Sequence, residues 1–399
     1  MSLRDTLSSY WAAIQGELFP WLDDCLGPLT ERHRDIVTVL EFVRLESFLP
    51  YWSGLPGRPL SERVALARAF VAKAVLNLPT TRALIERLQA DKVLRRICGY
   101  AQAGAVPSES TFSRAFAEFS ASALPTRVHE ALVKRMHVDQ LVGHISRDST
   151  AIEAPEKPAK SEKATKLTES STQSPSSKIL PAPSAEPSSG KRKRGRPHKG
   201  EERPKETRRI ERQLGMTIHE MLDDLPTTCD VGTKKNAKGY KVSWNGYKLH
   251  ADVADGCIPI SCFLNSASLH DSQVAIPLAT MTAARVTSLY DLMDAAYDCT
   301  EIKDHSRSLG HVPIIDINPR TKERKEELVL ENKALKNVGH QLSEDVRYNE
   351  RTTAERFNGC LKEEFGGNTV NVRGNAKVMC HLMFGVLTLT VHQLIRFVT

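Results

Sequence analysis

The stretch GYKVSWNGYKLHADVADGCIPISCFLN, Gly239 to Asn265, alternates apolar and polar residues and is punctuated by Asn245-Gly246 and Asp255-Gly256. Period-two alternation marks half-buried strands, and Asn-Gly and Asp-Gly favour the left-handed backbone of tight hairpin turns. The stretch therefore predicts a three-stranded antiparallel meander. Downstream, SLHDSQVAIPLATMTA reads as a helix starting near Asp271 or Ser272. VTSLYDLMDAAYDC opens as a buried strand and becomes a loop at Asp294, EIKDHSRSLG reads as a helix closed by Gly310, and HVPIIDIN reads as a second buried strand. Upstream, HISRDST reads as a strand, and beyond Arg347 the segment RYNERTTAERFNGCLKEEF reads as a helix.

That order, a strand, three antiparallel strands, a helix, a strand, a helix, a strand and a helix, matches a ribonuclease-H-like α/β fold, a mixed sheet flanked by helices. An all-helical part precedes it. From about Arg34 to Glu130 apolar residues recur at helical spacing, as in LSERVALARAFVAKAVLNL, which sets residues 1–137 as a helical domain and 138–399 as the α/β domain. Within the helical part VPSESTFSRAFAEF has Pro107 with Ser108 or Ser110 as a helix start. Its first turns, bearing Ser110, Thr111, Ser113 and Arg114, resemble the second half of a helix-turn-helix that enters a major groove; the plainer alternative is a bundle helix.

The α/β part is interrupted at about 153–205, where the composition shifts to Pro, Ser, Lys, Ala and Glu with few large apolar residues, too few to hold an ordered core. Near the end of this insert GKRKRGRPHKG carries Lys191, Arg192, Arg194 and Arg196, and its Arg-Gly-Arg-Pro core is similar to an AT-hook, which lays arginines in a narrow minor groove. The 399 residues carry a formal charge of +7, concentrated rather than spread, which makes nucleic acid the expected partner. Eight dispersed cysteines form no CxxC pair or zinc spacing and are expected to be reduced thiols. The start lacks signal-peptide features, so a cytoplasmic location on DNA is expected. The apolar run Val378 to Val398 is long enough to span a bilayer, but His381, His392, Gln393 and Arg396 within it favour a buried core helix and no membrane partner.

On a helix at 100° per residue with Tyr348 at zero, Arg351 falls at about 300°, Glu355 at about 340° and Lys362 at about 320°. The four share one stripe, while Phe357, Leu361 and Phe365 lie on another face suited to a core. A hydroxyl, two cations and a carboxylate along three turns suit phosphate and metal; the plainer alternative is a surface stripe in which Arg351 and Glu355 form an i,i+4 pair. Two-metal phosphoryl transfer needs several carboxylates brought together from separate elements. Asp148, placed at a strand end, Asp294, placed at the end of another, and Glu355 on the helix are the candidates. Asp291 within its strand and Asp298 beyond the loop are less well placed than Asp294.

The spacing Y-x2-R-x3-E-x6-K in YNERTTAERFNGCLK resembles the Tyr-Arg-Glu-Lys signature of bacterial insertion-sequence transposases of the DDE class, falling on Tyr348, Arg351, Glu355 and Lys362. The likeness extends to RDST at Asp148, LHDSQVAIPL, DAAYD at Asp294 and GRPLSERVALARAF. It implies an enzyme that cuts at transposon ends and joins the 3′-OH to target DNA with Mg²⁺ or Mn²⁺, two ions held by Asp148, Asp294 and Glu355, working as a homodimer that brings two ends together. A catalytically inactive DNA-binding descendant and a metal-dependent nuclease of the same fold are the alternatives. Relatives with this signature usually carry a strand-rich insert between the second acid and the glutamate. Here 61 positions separate Asp294 from Glu355, room for a strand and two helices, and the long insertion follows Asp148 instead.

Overall fold

The computed structural model describes residues 3–49, 62–138, 140–158, 207–235 and 238–398. Eight helices come first: α1 (Leu3–Ala13), α2 (Phe19–Leu26), α3 (Glu31–Val43), α4 (Arg63–Val75), α5 (Thr81–Ala90), α6 (Lys92–Ile97), α7 (Glu109–Ala121) and α8 (Leu124–Met136). Strand β1 (Leu141–Glu153) follows, then α9 (Arg209–Gln213), α10 (Ile218–Asp223), β2 (Asp230–Lys235), β3 (Lys241–Ala254) and β4 (Ile258–Ser266). The chain continues through α11 (Ala275–Ala283), β5 (Thr287–Met293), α12 (Thr300–Ser308), β6 (Val312–Ile315), α13 (Lys322–Asn337), α14 (Ser343–Tyr348), α15 (Thr352–Glu363) and α16 (Asn375–Ile395). The basic residues Lys191, Arg192, Arg194 and Arg196 lie outside the described residues.

The sheet is the expected ribonuclease-H-like one. β3 pairs antiparallel with β4 and with β1, β1 pairs parallel with β5, and β5 parallel with β6. The meander differs from expectation in one respect. Asn245-Gly246 makes no turn, and β3 runs straight through it for 14 residues. The first hairpin partner is β2, which pairs with the leading half of β3 and lies upstream of the stretch read as strand. Gly246 is required for a different reason: its φ is 148°, and a Cβ there would stand 2.1 Å from the carbonyl oxygen of Ile152 on β1. The glycine permits close strand approach rather than reversal. β6 is also not the fully buried strand expected, since it closes the sheet as an edge with Val312 exposed.

Between Asp294 and Glu355 stand one strand and three helices, one helix more than the spacing suggested. α14 and α15 are joined by a 3₁₀ turn at Asn349–Arg351 with helical dihedrals throughout, so the single helix read from the sequence is one nearly continuous rod. Its buried face, Ala354, Phe357, Leu361 and Phe365, packs on Leu249, Ala251 and Val253 of β3 and Ile152 of β1.

The N-terminal helices do not close a core of their own. Residues 3–158 and 209–398 form one unit, in which α16 runs among α3, α4, α7 and α8 while also packing on β4 and α15. That explains the apolar run near the end of the sequence: α16 is long and apolar enough to cross a membrane by length and composition, yet 78% of its apolar window is buried inside the protein. Phe384 of α16 stacks on Phe70 of α4 with ring centroids 5.7 Å apart.

On the opposite face of the sheet from α15, Arg147 of β1 stands directly across from Asp252 of β3. Its Nε and Nη2 donate to the two carboxylate oxygens at 2.7 Å each, and both residues are almost fully buried. Thr282 of α11 donates to the same carboxylate at 2.6 Å, and the Sδ of Met293 on β5 accepts from Nη1 at 3.3 Å. Burial opposes the charge of Arg147, but the facing carboxylate outweighs it and raises the guanidinium pKa. Arg147→Met leaves Asp252 buried and unpaired and is expected to cost about 3–5 kcal/mol in urea unfolding. Arg147→Met with Asp252→Leu removes both charges and is expected to regain most of that loss; a double variant as unstable as the single one would show that the pair is not what ties β1 to β3.

Candidate active site

β1 carries chemistry on its other face. The β1–β5 ladder ends at Arg147↔Met293, so the next residue of each strand, Asp148 and Asp294, emerges side by side where the parallel pairing stops. Asp148 is not at a strand end, as expected, because β1 continues to Glu153 against β3. It is instead at the end of the parallel ladder, which serves the same purpose. Asp294 follows the last residue of β5 and accepts from the amide of Ala296 at 3.0 Å as it caps a 3₁₀ turn.

The neighbouring acids are committed elsewhere. Asp291 is buried and accepts from Ser306 at 2.5 Å and faces His311 at 3.2 Å, while Asp298 is paired with Lys303 at 2.6 Å. Asp148 and Asp294 have no such ion pair. Burial pushes Asp148 up to about 6, with the amide of Ser149 and Arg351 opposing and Asp294 and Asp271 adding to the rise. Asp294 is raised by burial too, against Ala296 and Arg351 and with Asp271 and Asp316. Two poorly compensated carboxylates side by side form a locus that favours cations.

The α14–α15 rod brings the rest. Ser146, two residues before Asp148, donates to the Glu350 carbonyl at 3.2 Å and fixes the rod over β1. Glu355 is about half exposed and is held by Arg351, whose Nη2 lies 2.5 Å from Oε1. Arg351 also lies against the Tyr348 ring, 5.8 Å from its centroid, and acts electrostatically on Asp148 and Asp294. Lys362 is half-buried; burial lowers its pKa, Lys234 adds to the lowering, and Glu153 and Asp148 oppose it. Of the stripe, Arg351 thus acts on both aspartates, Tyr348 senses Asp294 and Lys362 senses Asp148. Among the described residues, no group of three or more His, Cys, Asp and Glu side chains is gathered closely enough to hold a metal ion. Glu355 is turned to Arg351. The donor set of hard carboxylate oxygens suits a divalent cation such as Mg²⁺ or Mn²⁺.

Arg114 stands apart from this centre, exposed on α7, which begins at Glu109 after Ser108. One residue of the site escaped sequence reading. Asn358 of α15 is 8% exposed and donates from Nδ2 to Oδ2 of Asp148 at 3.1 Å, while its Oδ1 has no partner. One turn beyond Glu355, it falls beside the same polar stripe, and that position was the signal available.

The raised pKa of Asp148 has a definite sign in stability. The folded state binds this proton more tightly than the unfolded chain, so stability falls as pH rises from about 4 to about 6 and stays lower above. In EDTA at pH 8, Asp148→Asn is therefore expected to raise stability by on the order of 2 kcal/mol, a gain that fades near pH 4. Urea unfolding at the two pH values checks it, and a difference independent of pH would mean that the carboxylate is not strained by burial.

Comparisons with known proteins agree with this geometry. Residues 223–391 match the transposase DDE domain, and residues 23–118 match a second transposase domain, DUF772. The first match contains Asp294, Tyr348, Arg351, Glu355 and Lys362; the second contains Arg114; Asp148 lies between them. No curated protein and no solved structure matches the chain. Asp294 and the helix bearing Glu355 thus lie within the match to the transposase DDE domain, and the chain carries two regions similar to transposase domains.

Proposed function

We propose that this protein cuts DNA at the ends of a mobile element of the bacterial insertion-sequence type and joins the exposed 3′-OH to target DNA, with Asp148, Asp294 and Glu355 as the catalytic carboxylates. The observation that carries this reading is the adjacency of Asp148 and Asp294 at the end of the β1–β5 ladder, both with raised pKa values and no cationic side chain in ion-pair contact. Asp148 and Asp294, joined by Glu355 once it leaves Arg351, would hold Mg²⁺ or Mn²⁺, two ions in the usual arrangement. Such ions supply Lewis acidity to the attacking and leaving oxygens of an in-line displacement.

The chain's own groups do the rest. Asn358 orients the Asp148 carboxylate through Oδ2, together with the Ser149 amide. Arg351 is the natural phosphate contact: when DNA enters, a phosphate competes with Glu355 for the guanidinium and releases the glutamate toward the aspartates. Tyr348 backs the guanidinium, and Lys362 lines the path of the strand beyond Asp148. Arg114 on α7, with Lys191, Arg192, Arg194 and Arg196, would add phosphate contacts that position the element's ends. A homodimer follows from the need to hold two ends at once, and the work is done in the cytoplasm on DNA.

The test is cleavage and joining of labelled DNA carrying the element's ends, in Mg²⁺ or EDTA. Asp148→Asn, Asp294→Asn and Glu355→Gln are each expected to reduce cleavage to background while binding of the ends persists, and wild type is expected to yield 3′-OH ends joined to target. Full activity in any one variant would remove that residue from the centre. Free fragments without joined product would make the protein a nuclease, and binding without cleavage in wild type would make it an inactive DNA-binding descendant.

A further inference from the structure

A second site lies away from the acids. Between α4, α5, α7 and α16 there is a half-enclosed cavity of about 290 Å³, walled by the rings of Phe70, Phe116, Phe365 and Phe384. Three of these walls are in mutual contact, since Phe70 packs on Phe116 at 5.0 Å and on Phe384 at 5.7 Å between centroids. A volume near 300 Å³, with four apolar rings set among polar side chains, is at the lower end of small-ligand pockets.

The cavity is lined by one lysine and no arginine. Lys73 of α4 is 9% exposed, on a helix whose other buried residues are mostly alanine, valine, leucine and phenylalanine. Neither an ion pair nor a hydrogen bond holds its ammonium among the described residues, and burial pushes its pKa down to about 8 without help from any charged neighbour. It remains mostly protonated at neutral pH. A mostly buried lysine without an ion-pair partner is a costly feature for a fold to carry, and an aliphatic residue of the same length would fit the helix better.

The other titratable groups on the lining do not meet this charge. Glu109 of α7 is turned to Arg82 at 3.5 Å. His381 of α16 donates from Nε2 to the Gly366 carbonyl at 3.0 Å, and burial lowers it to about 4, so it stays neutral. The N-terminal end of α5 opens on the same space through Thr80 and Thr81, and the positive end of its dipole adds to the lysine rather than offsetting it. An ammonium, a helix N-terminus and an aromatic box thus converge on an enclosure whose one carboxylate, Glu109, is paired with Arg82 and not with Lys73.

We propose that this cavity is a binding site for a small organic anion, a carboxylate or phosphate monoester borne on a flat apolar ring, with Lys73 as the anion contact and the Phe70, Phe116 and Phe384 rings around the apolar body. The site is separate from the reaction centre and independent of the function proposed for it. Because the cavity is built jointly by the N-terminal helices and α16, its occupant would brace the helical part against the element that crosses into the α/β part.

The test is calorimetric titration of the full-length protein with benzoate and with phenyl phosphate, using benzyl alcohol as a neutral control of similar size. Wild type is expected to bind at least one of the anions and not the alcohol. Lys73→Met is expected to weaken that binding about tenfold or more, the worth of a charge-assisted contact, and to unfold at a Tm equal to or above that of unliganded wild type. Ser113→Phe, at the exposed rim on α7, is expected to block binding while leaving Lys73 in place. No binding of either anion, equal binding of the alcohol, or unchanged affinity in both variants would overturn the site; a lower Tm in Lys73→Met would assign the lysine a structural role instead.

Discussion

The Arg147–Asp252 ion pair is the constraint on which the six-stranded sheet depends. A guanidinium enclosed between strands cannot be left unsatisfied, and its planar fork accepts a carboxylate only in one orientation. The bidentate contact therefore sets the β1–β3 register, and Thr282 and Met293 extend that constraint to α11 and β5. Asp148 is the next residue along. Because successive side chains of a strand point to opposite faces, fixing Arg147 on one side aims Asp148 at the other, under α15. The least soluble-looking charge in the sheet and the residue most exposed to its chemistry are thus positioned by the same peptide unit.

The electrostatics on the two faces are opposite by design of the neighbours. Asp252 and Asp291 are carboxylates whose partners satisfy them fully, and they belong to the framework. Asp148 receives the Ser149 amide and the Asn358 side chain, Asp294 the Ala296 amide, and both share a long-range influence from Arg351. Arg351 has two claims on it, a direct one from Glu355 and a distant one from the aspartates. The competition keeps the glutamate outside the aspartate pair in this state, and the rod that carries it is pinned by the contact of Ser146 with Glu350 and by the packing of Phe357 and Leu361.

Much of this arrangement is legible in the sequence because it is local. The polar stripe and the apolar face of the α14–α15 rod follow from spacing alone, as do the end of β5 at Asp294 and the helix closed by Gly310. What escaped is set by contacts between distant segments. Asn245-Gly246 has the composition of a turn, but Ile152, far away along the chain, needs the missing Cβ. β2 carries no alternation, with only Gly232 buried among its six residues, and exists because β3 extends far enough to pair with it. Asn358 is uncharged and unremarkable on a helical wheel until Asp148 comes to meet it from 210 positions away. Lys73 reads as one cation on a helix, and its isolation is a property of what α16 brings over it.

That last element has a consequence for how the chain acquires its shape. α16 follows every other element in sequence, yet it fills the middle of a core whose remaining walls, α3, α4, α7 and α8, are made first. During synthesis those helices can pack on one another, as Phe70 does on Phe112, Phe116 and Phe119, but the face that α16 covers stays open until residues near 395 have left the ribosome, and the contacts that then form span most of the chain. Such long-range closure is slow and leaves apolar surface open in the meantime. The helical part and the sheet therefore share one late-arriving element, whose residues sit in the apolar clusters of both.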